Sequence, residues 1–575
     1  MKHTILSSII ISLLAYMQVT AQTTIIHDVN LVDVATGRII PKQDVRIENG
    51  KIASITTSRG TVNEQYPVIF GSGKYLMPGM MDGHIHFFQT GELYTRPDAI
   101  DLTKYASYED NQAFAWELAK DSFKRYLRLG ITTVMDVGGP LAYIKVRDSL
   151  ATNTLSPNIL ITGPLFSPYQ PEAFSKLDDA PIAKINTIAE ADALFKKLIP
   201  HKPDFLKIWY IHSAESPAEA YFPVVKHIAE LAHNNDIKLA VHATQLQTAK
   251  LAVQAGADIL VHSVDDTQVD EAFAKALTDN NVAYIPTLIV SANYGKTFIS
   301  KPDNHPQDLK YANPKAYGTL TDLLHYPNNE LPPFIAFYRQ NEDRLRQRYA
   351  REDSIMFSNL RFLRDHGVNI LAGTDAGNIG TMHASSFLQE LEAMHRAGMT
   401  IPEIIKAATI NAAIGFGVDT HLGEIAIGKQ ADLVLLEKNP FEDLSHLNNI
   451  SLVFKDGETV DVSTIIEESP EAIVQRQLNA YNARDIEAFL DTYADDIQLY
   501  NFPDVLQTDG KAAMRESFLD FFENTPDLHC EIKNRITISN KVIDQEYITA
   551  NGQNFTAVAI YETKYGKITK VTFIR

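Results

Sequence analysis

At 575 residues the chain exceeds one ordinary domain, so two or three domains with sizeable cores are expected. Its 71 acidic against 52 basic side chains give a formal net charge of −19, which repels nucleic-acid backbones and anionic lipid surfaces and argues against phosphate-backbone partners. Cys530 is the single cysteine. That excludes an internal disulfide framework and thiolate-rich metal sites, so any cation must be held by His, carboxylate or a modified Lys.

The chain opens with Lys2, then an apolar run from Ile5 to Met17 that is too short to cross a bilayer, then the small residues Val19 and Ala21. This order is expected of a secretory signal peptide over residues 1–21, leaving a periplasmic or secreted protein with no membrane contact after cleavage. From Thr24 to about Tyr75 the pattern is β-like, in IIHDVNLVDV and DVRIENGKIASI, and Asn49-Gly50 is a hairpin signal. That segment is too small to close a core. Related pieces recur late, GEIAIGKQADLVLLEKNP (423–440) and SLVFKDGETV (451–460), so the flanks 22–76 and 416–465 are expected to meet as one composite β-sandwich.

Between the flanks, over 77–415, apolar runs alternate with helical stretches: ITTVMDVGG, NILITGPLF, FLKIWYI, KLAVHAT, ADILVHS, VAYIPTLIV and NILAGTDAG. The alternation predicts an α/β fold, a (β/α)8 TIM barrel whose chemistry sits at the C-terminal strand ends. The longest interruption, Ser291 to about Met356, is polar and rich in Tyr, Pro and Asn. It reads as an insertion over the barrel mouth, either a lid or surface decoration. A separate α+β domain is expected at 468–575, with two helices feeding a strand in EAIVQRQLNAYNARDIEAFLDTYADDIQLY, a helix at KAAMRESFLDFF, and strands ending at ITKVTFIR.

The chemistry begins at His84 and His86, at the end of LMPGMMDGHIHF. Residues two apart on a strand point to the same side, so both imidazoles can reach one ion. Lys207 in DFLKIWY, His242 in LAVHAT, His262 in ILVHS and Asp375 in ILAGTDAG each stand at the far end of a predicted strand. Singly, each has a plainer reading: a solvated lysine, a hydrogen-bonded interior histidine, a helix N-cap. Their recurrence at successive strand ends is the signal.

Carried by LMPGMMDGHIHF, RLGITTVMDVGG, DFLKIWY, VHATQLQTAKLAVQAGADILVHS, LAGTDAG, AATINAAIGFG and GEIAIGKQADLVLL, the chain resembles the amidohydrolase superfamily over about residues 24–460. The resemblance is to the branch of imidazolonepropionase and metal-dependent prolidase-like peptidases. It implies that His84, His86 and Asp375 hold one divalent metal and His242 and His262 a second, with Lys207 bridging them as a carbamate derived from carbon dioxide. Zinc, two ions per chain, is the expected metal. The implied activity is an exported hydrolase that cleaves an amide or peptide C–N bond of a small molecule such as a dipeptide or N-acyl amino acid. A hydroxide between the metals would attack, and the catalytic Asp375 would pass the water's proton to the leaving amine.

Two other readings stay open. One is a cyclic-amide hydrolase or aminohydrolase with a mononuclear site on the first-strand histidines and Asp375. The other is a non-catalytic exported binding protein. Trp209, sharing the inward face of Lys207, with Tyr210 and His212 in the loop beyond and His383 after the last strand, are the candidates to touch substrate. The C-terminal segment resembles the SnoaL-like family, small cone-shaped α+β domains related to nuclear transport factor 2, through VQRQLNAYNARDIEAFLDTYADDIQLYNFP and GKAAMRESF. That fold hosts isomerases, ligand binders and dimerisation modules, so the domain is assigned oligomerisation, hence a homo-oligomer, or ligand capture. Asp495, Asp496 and Tyr500 read as a turn and a half-buried strand residue.

Overall fold

The computed structural model describes residues 23–61, 65–150, 153–212 and 217–574; the expected signal peptide at 1–21 lies outside the described residues. The strand Thr23–Asp33 pairs antiparallel with Arg38–Glu48, which turns into Lys51–Thr57. Asn49 and Gly50 make that turn at φ 51° and 75°, the left-handed pair that a tight hairpin requires. Tyr75–Pro78 runs parallel to Thr23–Asp33 and antiparallel to Leu433–Leu436, and Ile450–Lys455 and Glu458–Val460 extend the sheet. Strands from both flanks therefore share one eight-stranded sheet. It closes over a core of its own that includes Val45, Ile47, Leu76, Leu433 and Phe454.

Between the flanks, parallel strands form a ring. Met80–Ile85, Ile131–Asp136 and Asn158–Ile161 pair in sequence, as do Phe205–Trp209, Lys238–His242, Ile259–Val261 and Ala283–Ile285. The two groups join where Asp204 N donates to Ile161 O at 2.9 Å and Phe166 pairs with Ile208. Residues 370–376 close the ring, bridging Tyr284 on one side and Ile85 on the other. Parallel strands covered on both faces must be apolar throughout, and inward residues such as Met81, Met135, Phe205, Ile259 and Leu371 fill the barrel. The helices outside show the matching one-sided pattern. Tyr108–Arg128, capped by Ser107 accepting from Asp110 N, buries Ala115, Leu118, Ala119, Phe123 and Tyr126, the three-and-four spacing of a helix lying on a core.

The long interruption is helical. It contains Val290–Phe298, Pro306–Tyr311, Pro314–Gly318 and Pro333–Gln340 before the 24-residue helix Glu342–Asp365. Its Leu323, Leu331 and Ile335 pack against Leu93 and Ile100 from the loop after the first barrel strand, which sets the insertion beside the mouth.

The C-terminal domain curls a six-stranded sheet around the helices Pro470–Ala483, Ile486–Asp491 and Lys511–Glu523. It docks on the insertion through its first helix. Arg476 donates to Leu309 O and Ala312 O at 2.9 and 3.0 Å, and Asn479 donates to Pro314 O at 2.8 Å. Arg125 of the barrel reaches Tyr311 O and Ala312 O at 2.8 and 3.1 Å, so two guanidiniums satisfy carbonyls that a helix end leaves open. Glu468 pairs with both arginines.

Candidate metal centre

The first and last barrel strands are stitched together at the site: Asp375 N donates to His84 O at 2.7 Å, His86 N to Ala376 O at 2.8 Å and Gly83 N to Ala372 O at 2.9 Å. Glycine permits this approach. A Cβ on Gly377, at φ 103°, would lie 2.5 Å from His86 O. Two of the chemistry-bearing residues, His262 and Asp375, adopt left-handed backbone conformations at φ 75° and 62°. These cost on the order of 1–3 kcal/mol each and persist only where the surroundings enforce them.

His84, His86, Lys207, His242, His262 and Asp375 all line one cavity of about 260 Å³ at the C-terminal strand ends. Asp375 Oδ1 lies 3.2 Å from Nε2 of both His84 and His86, and Asp375 Oδ2 lies 3.9 Å from His262 Nδ1. The His84 and His262 rings are 4.8 Å apart and those of His242 and His262 4.5 Å. Ligand atoms of His84, His262 and Asp375 fall within 4.8 Å of one another. Lys207 is 1% exposed.

The donor set fits a divalent cation. Among the described residues, both ring nitrogens of His84 and Nδ1 of His242 are buried and make no hydrogen bond, which buried polar atoms rarely tolerate without an ion or water. His86 donates from Nδ1 to Gly138 O at 2.8 Å, which fixes the tautomer that leaves its Nε2 lone pair facing the cavity. Burial pulls His84 and His242 down to about 3 and His262 well below its ordinary value, so all three imidazoles are neutral, the form that can donate a lone pair. Burial alone would raise Asp375, but His84, His86 and His262 hold its carboxylate well below the usual range. Burial also brings the Lys207 amine down to about 7, with Asp375 opposing.

Behind these groups is a network that sequence reasoning missed. Asn378 Nδ2 donates to Asp375 Oδ1 at 2.7 Å, and Asn378 Oδ1 accepts from Arg96 Nη1 and Tyr294 OH, both at 2.6 Å. Asp98 holds the other guanidinium nitrogens of Arg96 at 2.8 and 2.6 Å. The only sequence trace of this arrangement is Asn378, three residues past Asp375 in DAGN.

Of the four candidates to touch substrate, Trp209 lines the cavity, with the Arg96 guanidinium 5.9 Å over its ring. The other three do not. Tyr210 follows an inward Trp209, so strand alternation turns it outward, where its hydroxyl donates to Ala218 O at 2.7 Å. His212 is part-exposed beyond the strand end, outside the cavity wall. His383 is buried behind the loop after the first strand, 3.1 Å from Tyr126 OH, 2.9 Å from Gln89 O and stacked on Phe87. It supports that loop from outside the cavity.

Residues 75–460 match the Amidohydrolase family and residues 474–571 the SnoaL-like domain. An imidazolonepropionase of Shewanella frigidimarina is 23% identical over 463 residues, covering 73% of this chain and 93% of its own. An adenine deaminase of Moorella thermoacetica is 46% identical over 63 residues, 11% of this chain. That match spans only 10% of the deaminase. Among solved structures, a Xaa-Pro dipeptidase with bound methionine superposes with a TM-score of 0.57 at 23% identity, over 76% of this chain and 100% of that one, a likeness of fold.

Proposed function

The chain belongs to the amidohydrolase family, hydrolases that act on carbon–nitrogen bonds, and on that premise we propose that it is an exported metal-dependent enzyme cleaving the amide or peptide bond of a small molecule, a dipeptide or N-acyl amino acid. His84, His86 and Asp375 would hold one divalent cation, zinc by the chemistry of imidazole and carboxylate, and His242 and His262 a second. Lys207 would serve both after its amine adds to carbon dioxide and loses a proton, leaving a carbamate whose single negative charge is shared by two oxygens. Divalent cations in such a site supply Lewis acidity to a carbonyl and acidity to a water.

The observation that carries the reading is Lys207. It is buried among four imidazoles and a carboxylate, and among the described residues it has no hydrogen bond or ion pair. A bare ammonium there would be costly, whereas a carbamate offers ligand oxygens to the same space. Asp375, its Oδ1 tied by Asn378, keeps Oδ2 to take a proton from water and hand it to the leaving amine. Trp209, Leu165 and Phe88 supply apolar wall beside the chemistry, in a volume of about 260 Å³ that suits a small substrate rather than a polypeptide.

A second reading is favoured by the tightness of one subset. Among the described residues, His84, His262 and Asp375 place ligand atoms close enough to share a single ion, a set with one first-strand histidine rather than both, which would suit a mononuclear cyclic-amide hydrolase or aminohydrolase. Metal analysis of the purified chain, with product analysis on dipeptides, N-acyl amino acids and lactams, separates the two. A metal-to-protein ratio near two, with a carboxylate and an amine as products, is expected. A ratio near one, with ammonia released or a lactam opened to a single amino acid, would select the second reading. Export is tested by sequencing the mature N-terminus, expected at Gln22.

A further inference from the structure

Apart from its imidazoles, the cavity at the barrel mouth is lined by four charged side chains, Arg96, Lys207, Asp265 and Asp375. Lys207 and Asp375 belong to the candidate metal centre. Arg96 is answered on every nitrogen: Asp98 takes Nε and Nη2 at 2.8 and 2.6 Å, and Nη1 donates to Tyr294 OH and Asn378 Oδ1 at 3.1 and 2.6 Å. Asp265 is what remains. Its carboxylate makes no hydrogen bond or ion pair among the described residues, although the side chain is half-buried.

In this Asp265 differs from the acids that follow it. Asp266 accepts from Leu246 N at 3.0 Å, at the start of the helix Leu246–Ala255, and Asp270 caps the helix Glu271–Asp279 by accepting from Phe273 N at 2.8 Å. The backbone of Asp265 is pinned, its N–H donating to Thr244 O at 2.9 Å, while the side chain lines the cavity. Burial, with Glu352 and Asp266 nearby, pushes its carboxyl up to about 6, and Arg348, itself paired with Glu352 at 2.8 Å, opposes them. At neutral pH the group is still ionised, in a partly dry wall that offers its charge no partner.

We infer that Asp265 sets specificity in this cavity by accepting the ammonium of the substrate, so that the substrate class is the dipeptide with a free amino terminus and not the N-acyl amino acid. The inference rests on the amide-hydrolase reading proposed above. A carboxylate withdrawn in part from water gains more from a cation than one in open solvent, and its hydrogen bonds to a charged donor are the stronger kind. A neutral acyl chain packed against it would instead cover it without a partner. Within about 260 Å³ a cation cannot lie far from the scissile bond, and the α-ammonium is the one such group that N-acyl amino acids lack.

Matched substrate pairs test this: glycyl-leucine, glycyl-phenylalanine and glycyl-proline against their N-propanoyl counterparts, in which a methyl group stands in place of the ammonium and nothing else changes. The metal-replete parent protein is expected to hydrolyse the glycyl member of a pair with kcat/KM about tenfold or more above its partner, the worth of a hydrogen bond between charged groups. Asp265→Asn, which keeps the side chain's shape, should raise KM for the glycyl member by about tenfold with kcat within about twofold, and leave the propanoyl member and the metal content unchanged. Equal kcat/KM within each pair, a preference for the propanoyl member, an unchanged KM for the glycyl member in Asp265→Asn, or an equal loss on both members would each overturn the inference and leave the hydrolase reading in place. Turnover of neither member of any pair would remove that reading, and this inference with it. The comparison within pairs needs only the parent protein, so it stands whether or not the variant folds.

Discussion

Under the proposed function Asp375 would have two jobs, ligand and proton acceptor, that a substitution can separate. Its carboxylate lies beside the imidazoles of the first strand, and its Oδ1 is anchored by Asn378 at 2.7 Å. Asp375→Asn keeps the shape but removes the proton acceptor, so kcat should fall by about 10²–10⁴-fold, well beyond any loss of metal measured on the same sample; matched losses would reduce Asp375 to a ligand. Asn378→Ala leaves the acid in place but frees it to rotate. Its expected signature is a drop in kcat of about tenfold, the scale of one charged hydrogen bond, with KM unchanged. The six residues that converge here were legible in the sequence, because a strand of period two ending in a ligand-type side chain is a local pattern that repeats. Arg96, Asn378 and Tyr294 were not legible: they meet only because three segments distant in sequence fold over one mouth. For Tyr210 the parity argument was available, since an inward Lys207 and Trp209 already turn it outward.

At the scale of elements, the barrel strands declared themselves as apolar runs, whereas the insertion concealed its helices. Pro306–Tyr311 and Pro314–Gly318 are six and five residues long, too short for a three-and-four periodicity to show, and their start signals are only His305 or Asn313 followed by Pro. The contact between the first and last barrel strands likewise depends on a glycine whose need is invisible without its neighbour. Gly377→Ala places a methyl against His86 O at a backbone angle that L residues rarely adopt. Urea unfolding should show a loss of about 1–3 kcal/mol, and the purified variant should carry less metal because His86 and Asp375 are displaced together. A variant with full metal content and parental stability would show that the strands tolerate separation.

For the whole molecule, the joint between barrel and C-terminal domain rests on few groups, chief among them Arg476 and Glu468. Arg476→Ala leaves Glu468 with Arg125 alone and removes the donor to Leu309 O, while Ala312 O keeps Arg125. It should cost about 1–3 kcal/mol, read in calorimetry as the C-terminal domain melting apart from the barrel. The same clasp carries a pH dependence. Burial would raise the Glu468 carboxyl, but Arg476 and Arg125 hold it below its ordinary 4.5. A depressed carboxylate stabilises the folded state above its unfolded pKa and loses that contribution as pH falls through the folded value. Docking should therefore be constant above about pH 5 and weaken in stronger acid, and Glu468→Gln should flatten the acid limb of a plot of melting temperature against pH.

The sheet shared by the two flanks dictates when this protein can finish folding. Tyr75–Pro78 finds its antiparallel neighbour only in Leu433–Leu436, so a growing polypeptide must be synthesised almost to the end of its amidohydrolase portion before that seam can form. Until then the emerging chain cannot lock this seam shut, a delay compatible with the export proposed above.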